Sequence, residues 1–218
     1  MEREHLDLLG RRSLLKKVGA TAVAGLAVGA APACAQASPQ SAGFEPARHD
    51  LDSWLGEMEG SHRVFVDSST MPGGVNAMRF ASNILTAHEE AYSGKVTDIA
   101  MVVCFRHSST PYAFGDAIWA KYGAALNPSA DPVPTSNPLN GSGQTSIGSL
   151  VGKGVHFAIC ARATRAVAGR LARAADVPTE DVLEELMAGA IPSSRFVPAG
   201  VMTVTRAQEY GYSLLYSE

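Results

Sequence analysis

An α/β fold, with a five-stranded parallel sheet sandwiched between two layers of helices, is predicted by three features of the chain. Short β-rich runs alternate with helical patterns from residue 63 to residue 216. One of these runs, "DIAMVVCF" (98–105), is continuously apolar, as strands covered on both faces are. The runs are separated by segments long enough to hold a helix, which every parallel crossover requires.

The chain has 218 residues, 46% hydrophobic and 18% charged, enough for one good core and little more. Its amino end stands apart. Arg11-Arg12-Ser13-Leu14-Leu15-Lys16 precedes a mild Ala/Gly-rich apolar run, and Ala35-Gln36-Ala37 follows. Residues 1–37 therefore read as a cleavable export signal. They resemble a twin-arginine signal, with Gly10 in place of the usual Ser/Thr and Leu14 in place of Phe. A membrane span needs about 20 strongly apolar residues, and this run is too short and too weak for one. Cys34 lacks the Leu-type residue upstream that a lipoprotein signal needs. A periplasmic location is expected.

Of the 18 basic and 21 acidic side chains, residues 1–37 hold five and three, so the remainder has a net charge of −5. With no Lys/Arg-rich run to offset this, nucleic acid is not an expected partner.

Residues 38–61 read as a tail and a docking helix, with Leu51, Trp54, Leu55 and Met58 at helical spacing. The α/β domain proper spans 62–218. Its first strand is "RVFVDSS" (63–69), followed by a helix whose apolar face holds Met78, Ala81, Ile84 and Leu85. After the second strand, Thr110-Pro111 predicts a helix start that runs through Tyr122. Residues 123–149 hold Pro128, Pro132, Pro134 and Pro138 among Gly, Ser and Asn, an irregular insertion too long to be an ordinary connection. Because it joins a helix to a strand, its ends are expected on the edge of the sheet opposite the strands' carboxyl ends. "VHFAIC" (155–160) is the third strand, with helices over 161–175 and 179–190. "SRFVPAG" is the fourth strand, "VMTVTRAQEY" the last helix and "GYSLLY" the fifth strand.

Open α/β sheets bind ligands at the carboxyl ends of their strands. There the chain places Asp67, the pair Arg106-His107, Cys160 and, after the fourth strand, Gly200. Charged side chains at strand ends also simply meet water, and a cysteine there also serves as a small buried apolar residue. Met71-Pro72-Gly73-Gly74 offers backbone N–H groups to an anion. The dinucleotide fingerprint and the P-loop are both absent, as are HxxxH, CxxC and CxxCH spacings, so neither a cofactor nor a metal is expected. Cys160 passes from a strand into a helix near Arg162 and Arg165, surroundings that favour a thiolate.

"GKGVHFAICARATRAVAGRLARAA", "FVPAGVMTVTRAQEYGYSLLY" and "RVFVDSS…GGVNAMRFASNIL" together resemble the DsrE/DsrF-like family of sulfur-metabolism proteins, over about residues 62–216. The resemblance implies a DsrE-like sandwich in which the second and third strands are neighbours. It also implies sulfur carried as a persulfide on Cys160. Export sets this chain apart from the cytoplasmic relay proteins of the family. The expected function is binding of a small sulfur-containing or anionic ligand, or sulfur carriage, around Cys160 with Arg106 and His107. The alternatives are a sulfurtransferase that forms a Cys160 persulfide, and a metal or haem site using His107 with Cys160 or His156. A homo-oligomer is compatible with all three. Cys104 and Cys160 are expected as free thiols, since side chains of neighbouring parallel strands rarely aim at each other.

Overall fold

The computed structural model describes residues 45–218. The signal-peptide reading of 1–37 and the start of the tail lie outside the described residues. Five parallel strands, β1 (His62–Ser68), β2 (Ile99–Phe105), β3 (His156–Cys160), β4 (Ser194–Val197) and β5 (Ser213–Ser217), form one sheet in the order β4-β3-β2-β1-β5. The helices are α1 (Trp54–Glu57), α2 (Met71–Tyr92), α3 (Asp116–Leu126), α4 (Ile147–Gly152), α5 (Ala161–Ala175), α6 (Thr179–Ala188) and α7 (Gly200–Glu209). Helices cover both faces, so the molecule is a three-layer α/β/α sandwich.

The two-residue alternation of the strands sorts their side chains between two cores. Val66, Met101, Val103, Phe105, Phe157 and Ile159 face α2 to α6. Phe65, Val102, Cys104, Ala158 and Val197 face α1 and α7. All seven residues of β2 are buried, as its unbroken apolar sequence requires.

The docking helix is short. Trp54 and Leu55 enter the smaller core, Met58 packs partly against it, and Leu51 is 71% exposed. The expected four-residue face thus loses Leu51, because a separate 3-10 turn at Asp50–Asp52 rotates it outward. Tyr212 Oη donates to the Leu55 carbonyl at 2.9 Å, and Arg63 Nη1 donates to the same oxygen at 3.1 Å. These bonds pin α1 to the sheet.

The helix expected from Thr110 to Tyr122 is two elements. His107–Ala113 is a 3-10 segment with Thr110 and Pro111 buried inside it, and α3 starts afresh at Asp116. The break has a tertiary cause. Ile191 N–H donates to the Ala113 carbonyl and Gly115 N–H to the Gly189 carbonyl, tying this stretch to the chain that leads into β4. These bonds use backbone groups that a continuous helix would need for itself.

The 3-10 segment takes the chain from the carboxyl end of β2 down to the start of β4, and α3 brings it back. The insertion is irregular only between α3 and α4, and its first residues, Asn127–Ser129, stand at the carboxyl edge beside His107. This detour corrects the expected placement of the first end, while the second, at α4, leads into the amino end of β3 on the expected edge. Buried Asn137 clips the insertion down: its Nδ2 donates to the carbonyls of Tyr112 and Phe114, each at 2.8 Å. Its own N–H donates to Asp116 Oδ1 at 2.8 Å.

Candidate functional site

The register of the sheet builds the site. Asp67 on β1 pairs with Cys104 on β2 and with Tyr216 on β5, and Cys104 pairs with Ala158 on β3. All four belong to the side of the sheet that α7 covers. Arg106 and Cys160, each two residues further along its strand direction, return to that same side. One row of the carboxyl edge therefore holds Tyr216, Asp67 and Cys104, and the next holds Arg106 and Cys160.

Arg106 grips Asp67. Its Nε donates to Oδ1 at 2.8 Å and to Oδ2 at 3.1 Å, and its Nη2 donates to Oδ2 at 2.8 Å. The hydrogen bonds to Asp67 hold the guanidinium pKa above its ordinary value, against the opposing effect of burial. The Arg106 Nη1 has no hydrogen-bond partner among the described residues, so one edge of the fork is uncommitted. The guanidinium carbon lies 5.8 Å from the centre of the Tyr216 ring, and Tyr216 Oη is 2.6 Å from Ser69 Oγ.

Gly200, the first residue of α7, lets that helix close on this row. A Cβ there would stand 2.8 Å from Arg106 Cβ and 3.2 Å from Cys104 Sγ. Cys104 is sealed beneath, with no exposure, whereas Cys160 keeps 7%. Burial pushes the Cys104 thiol pKa well up, and the nearby Asp67 carboxylate and Cys160 push it the same way. Both thiols are free. β2 and β3 are neighbours, but Cys160 lies diagonally beyond Ala158, the residue that faces Cys104. Cys160 is also the N-cap residue of α5 and makes no side-chain capping bond, leaving its sulfur unengaged at the positive end of a 15-residue helix.

His107 leaves this group. Its backbone is left-handed (φ 53°), unusual for a residue with a Cβ, and its side chain lines a cleft on the opposite side of the sheet. Its Nδ1 is 3.0 Å from Ser108 Oγ. The adjacent Arg106 and His107 thus lie on opposite faces of the sheet: the structure brings Arg106 and Cys160 to one side and places His107 on the other.

Gly73 and Gly74 lie inside the first turn of α2, and their amides are already occupied. Gly73 N–H donates to Thr70 Oγ1 and Gly74 N–H to the Thr70 carbonyl, both at 2.9 Å. Their missing side chains serve packing. A Cβ on Gly73 would meet the Ser217 carbonyl oxygen at 2.5 Å, and one on Gly74 the Tyr112 ring at 2.5 Å. The anion-binding reading of this turn does not fit that geometry.

His156 and Cys160 stand at opposite ends of β3, about 13 Å apart at the strand rise per residue, too far to share one metal ion. Among the described residues, no three His, Cys, Asp or Glu side chains come together as metal ligands. No described helix is long and apolar enough to cross a membrane.

Cys104 and Tyr216 are the members of this row that reading the chain for strand ends overlooks. The alternation of β2 carries the signal for Cys104, since residues 104 and 106 must share a face. The cleft beside His107, with a volume of about 720 Å³, has no sequence signature at all, because α3 and the insertion form one wall of it. No family model and no curated protein matches the chain.

Proposed function

We propose that this protein is an exported, DsrE-like sulfur carrier that binds a small sulfur-containing anion at the carboxyl edge of its sheet and holds sulfur on Cys160. The observation that supports this most directly is the contrast between two neighbouring thiols on one face. Cys104 is fully sealed with its proton held firmly, whereas Cys160 keeps 7% exposure and its sulfur caps no backbone group.

The chemistry is a single displacement. The Cys160 thiolate attacks the outer sulfur of thiosulfate, the S–S bond of thiosulfate breaks, and sulfite leaves with the bonding pair. Cys160 is left as a persulfide. The free Nη1 edge of Arg106 is available to orient the anion. Because Asp67 neutralises the guanidinium, Arg106 contributes direction more than net charge. Location in the periplasm rests on the twin-arginine resemblance of residues 1–37.

The test uses the full chain in a Cys34→Ser background, so that only Cys104 and Cys160 remain. After exposure to thiosulfate or polysulfide, the intact mass rises by one sulfur atom, and the added Cys160→Ser substitution abolishes the gain. An unchanged mass in both proteins sinks the carrier reading.

A further inference from the structure

The cleft that His107 lines belongs to neither the Cys160 row nor the proposed sulfur chemistry. At about 720 Å³ it falls within the size range of small-molecule sites, and it opens at the carboxyl edge of the sheet, where α/β folds bind ligands. One wall is a single face of α5. Ala163, Ala166, Val167 and Arg170 recur there at helical spacing, and the two alanines leave room beside the helix. Met71, Pro111 and Leu126 supply apolar surface from the other elements.

The charge of this cleft is the reverse of the chain's. Acidic side chains outnumber basic ones over the whole protein, 21 to 18, yet among the described residues neither Asp nor Glu lines the cleft. Arg170 does line it. Among the described residues Arg170 makes no ion pair and no hydrogen bond, whereas Arg165 on the same helix is paired with Glu180 at 2.7 Å. His107, which also lines the cleft, has its Nδ1 beside Ser108 Oγ and, among the described residues, no partner for its Nε2. Among the described residues the cleft has apolar walls, one uncommitted cation and no acid, which select a particular kind of molecule: one with an apolar body and one negative end.

We propose that this cleft binds a small amphiphilic carboxylate, its acyl or aromatic body lying along the Ala163–Ala166–Val167 face and its carboxylate on Arg170. Octanoate is the probe, and octanol is its neutral counterpart. Calorimetric titration of the full chain gives saturable one-to-one binding of octanoate, at least about tenfold tighter than octanol, the factor expected for one charge-assisted contact. Arg170→Gln removes that preference and leaves octanol binding as it was. Ala166→Trp fills the cleft and abolishes both. Arg170 and Ala166 are exposed, so Arg170→Gln keeps the parent melting temperature and remains informative if the bulkier variant folds poorly. The proposal is overturned if octanoate binding does not saturate, if Arg170→Gln leaves the preference intact, or if folded Ala166→Trp binds as the parent does. Cys160 does not line the cleft, so Cys160→Ser leaves octanoate binding unchanged, and this site stands or falls independently of the sulfur chemistry.

Discussion

Arg106 spans from β2 to Asp67 on β1 with three hydrogen bonds of 2.8 to 3.1 Å, and the carboxylate it holds belongs to a residue only 4% exposed. This pair ties two central strands together at the edge where the site forms. Arg106 is therefore not a strand-end charge that simply meets water.

Arg106→Ala is expected to destabilise the protein by about 2 to 4 kcal/mol, because it strands a buried carboxylate. Arg106→Lys restores the charge without the fork and recovers only part of that loss. Urea denaturation of the two variants checks both statements. A melting curve for Arg106→Ala that overlays the parent's would show that the pair contributes nothing.

Gly200→Ala is expected to cost about 1 to 3 kcal/mol, since the new methyl meets Arg106 Cβ at 2.8 Å, an atom that cannot move without the strand. The same variant displaces Arg106 and so weakens sulfur loading at Cys160. Thermal denaturation together with the rate of loading reads the two effects.

Tyr212 is buried, and burial pushes its pKa up to about 12. Its ordinary value is about 10, so between these two pH values the folded state holds a proton that the unfolded state has lost. Stability from this group is complete below about pH 10 and disappears as the pH rises through 12, a loss on the order of 2 kcal/mol. In Tyr212→Phe this alkaline loss is absent. Near neutral pH the variant loses about 1 kcal/mol or less, because Arg63 still donates to the Leu55 carbonyl. The difference between parent and variant denaturation curves, taken from pH 7 to 12, isolates the effect from other tyrosines.

Replacing Arg11 and Arg12 together by Lys is expected to leave the protein in the cytoplasm with its first 37 residues attached. Cell fractionation with immunodetection decides this, and normal periplasmic processing of the variant would count against twin-arginine export.

Much of the fold was legible because local and tertiary preferences agree. The helix expected over 161–175 is α5 itself, since Val167, Ala168, Leu171 and Ala172 form one buried face and Asp176 ends it in a left-handed conformation. The strands were legible from apolar runs, and the carboxyl edge from their direction. Thr110-Pro111 misled because a good local start signal lost to backbone pairing between Ala113–Gly115 and Gly189–Ile191, contacts that no local pattern announces. The glycines at 73 and 74 looked like an anion turn, yet close packing against Ser217 and Tyr112 asks for the same residue type. The parting of Arg106 from His107 was half legible: strand alternation sends neighbours to opposite faces, but the left-handed turn at His107 is a product of the assembled fold.

The central claim is that sulfur resides on Cys160 and not on its fully buried neighbour Cys104. Peptide mapping by mass spectrometry, after loading the Cys34→Ser protein with polysulfide and blocking its remaining thiols under denaturing conditions, tests it most directly. The account predicts the added sulfur on the peptide containing Cys160 and the blocking group alone on the peptide containing Cys104. Sulfur on Cys104, or on neither peptide, would contradict it.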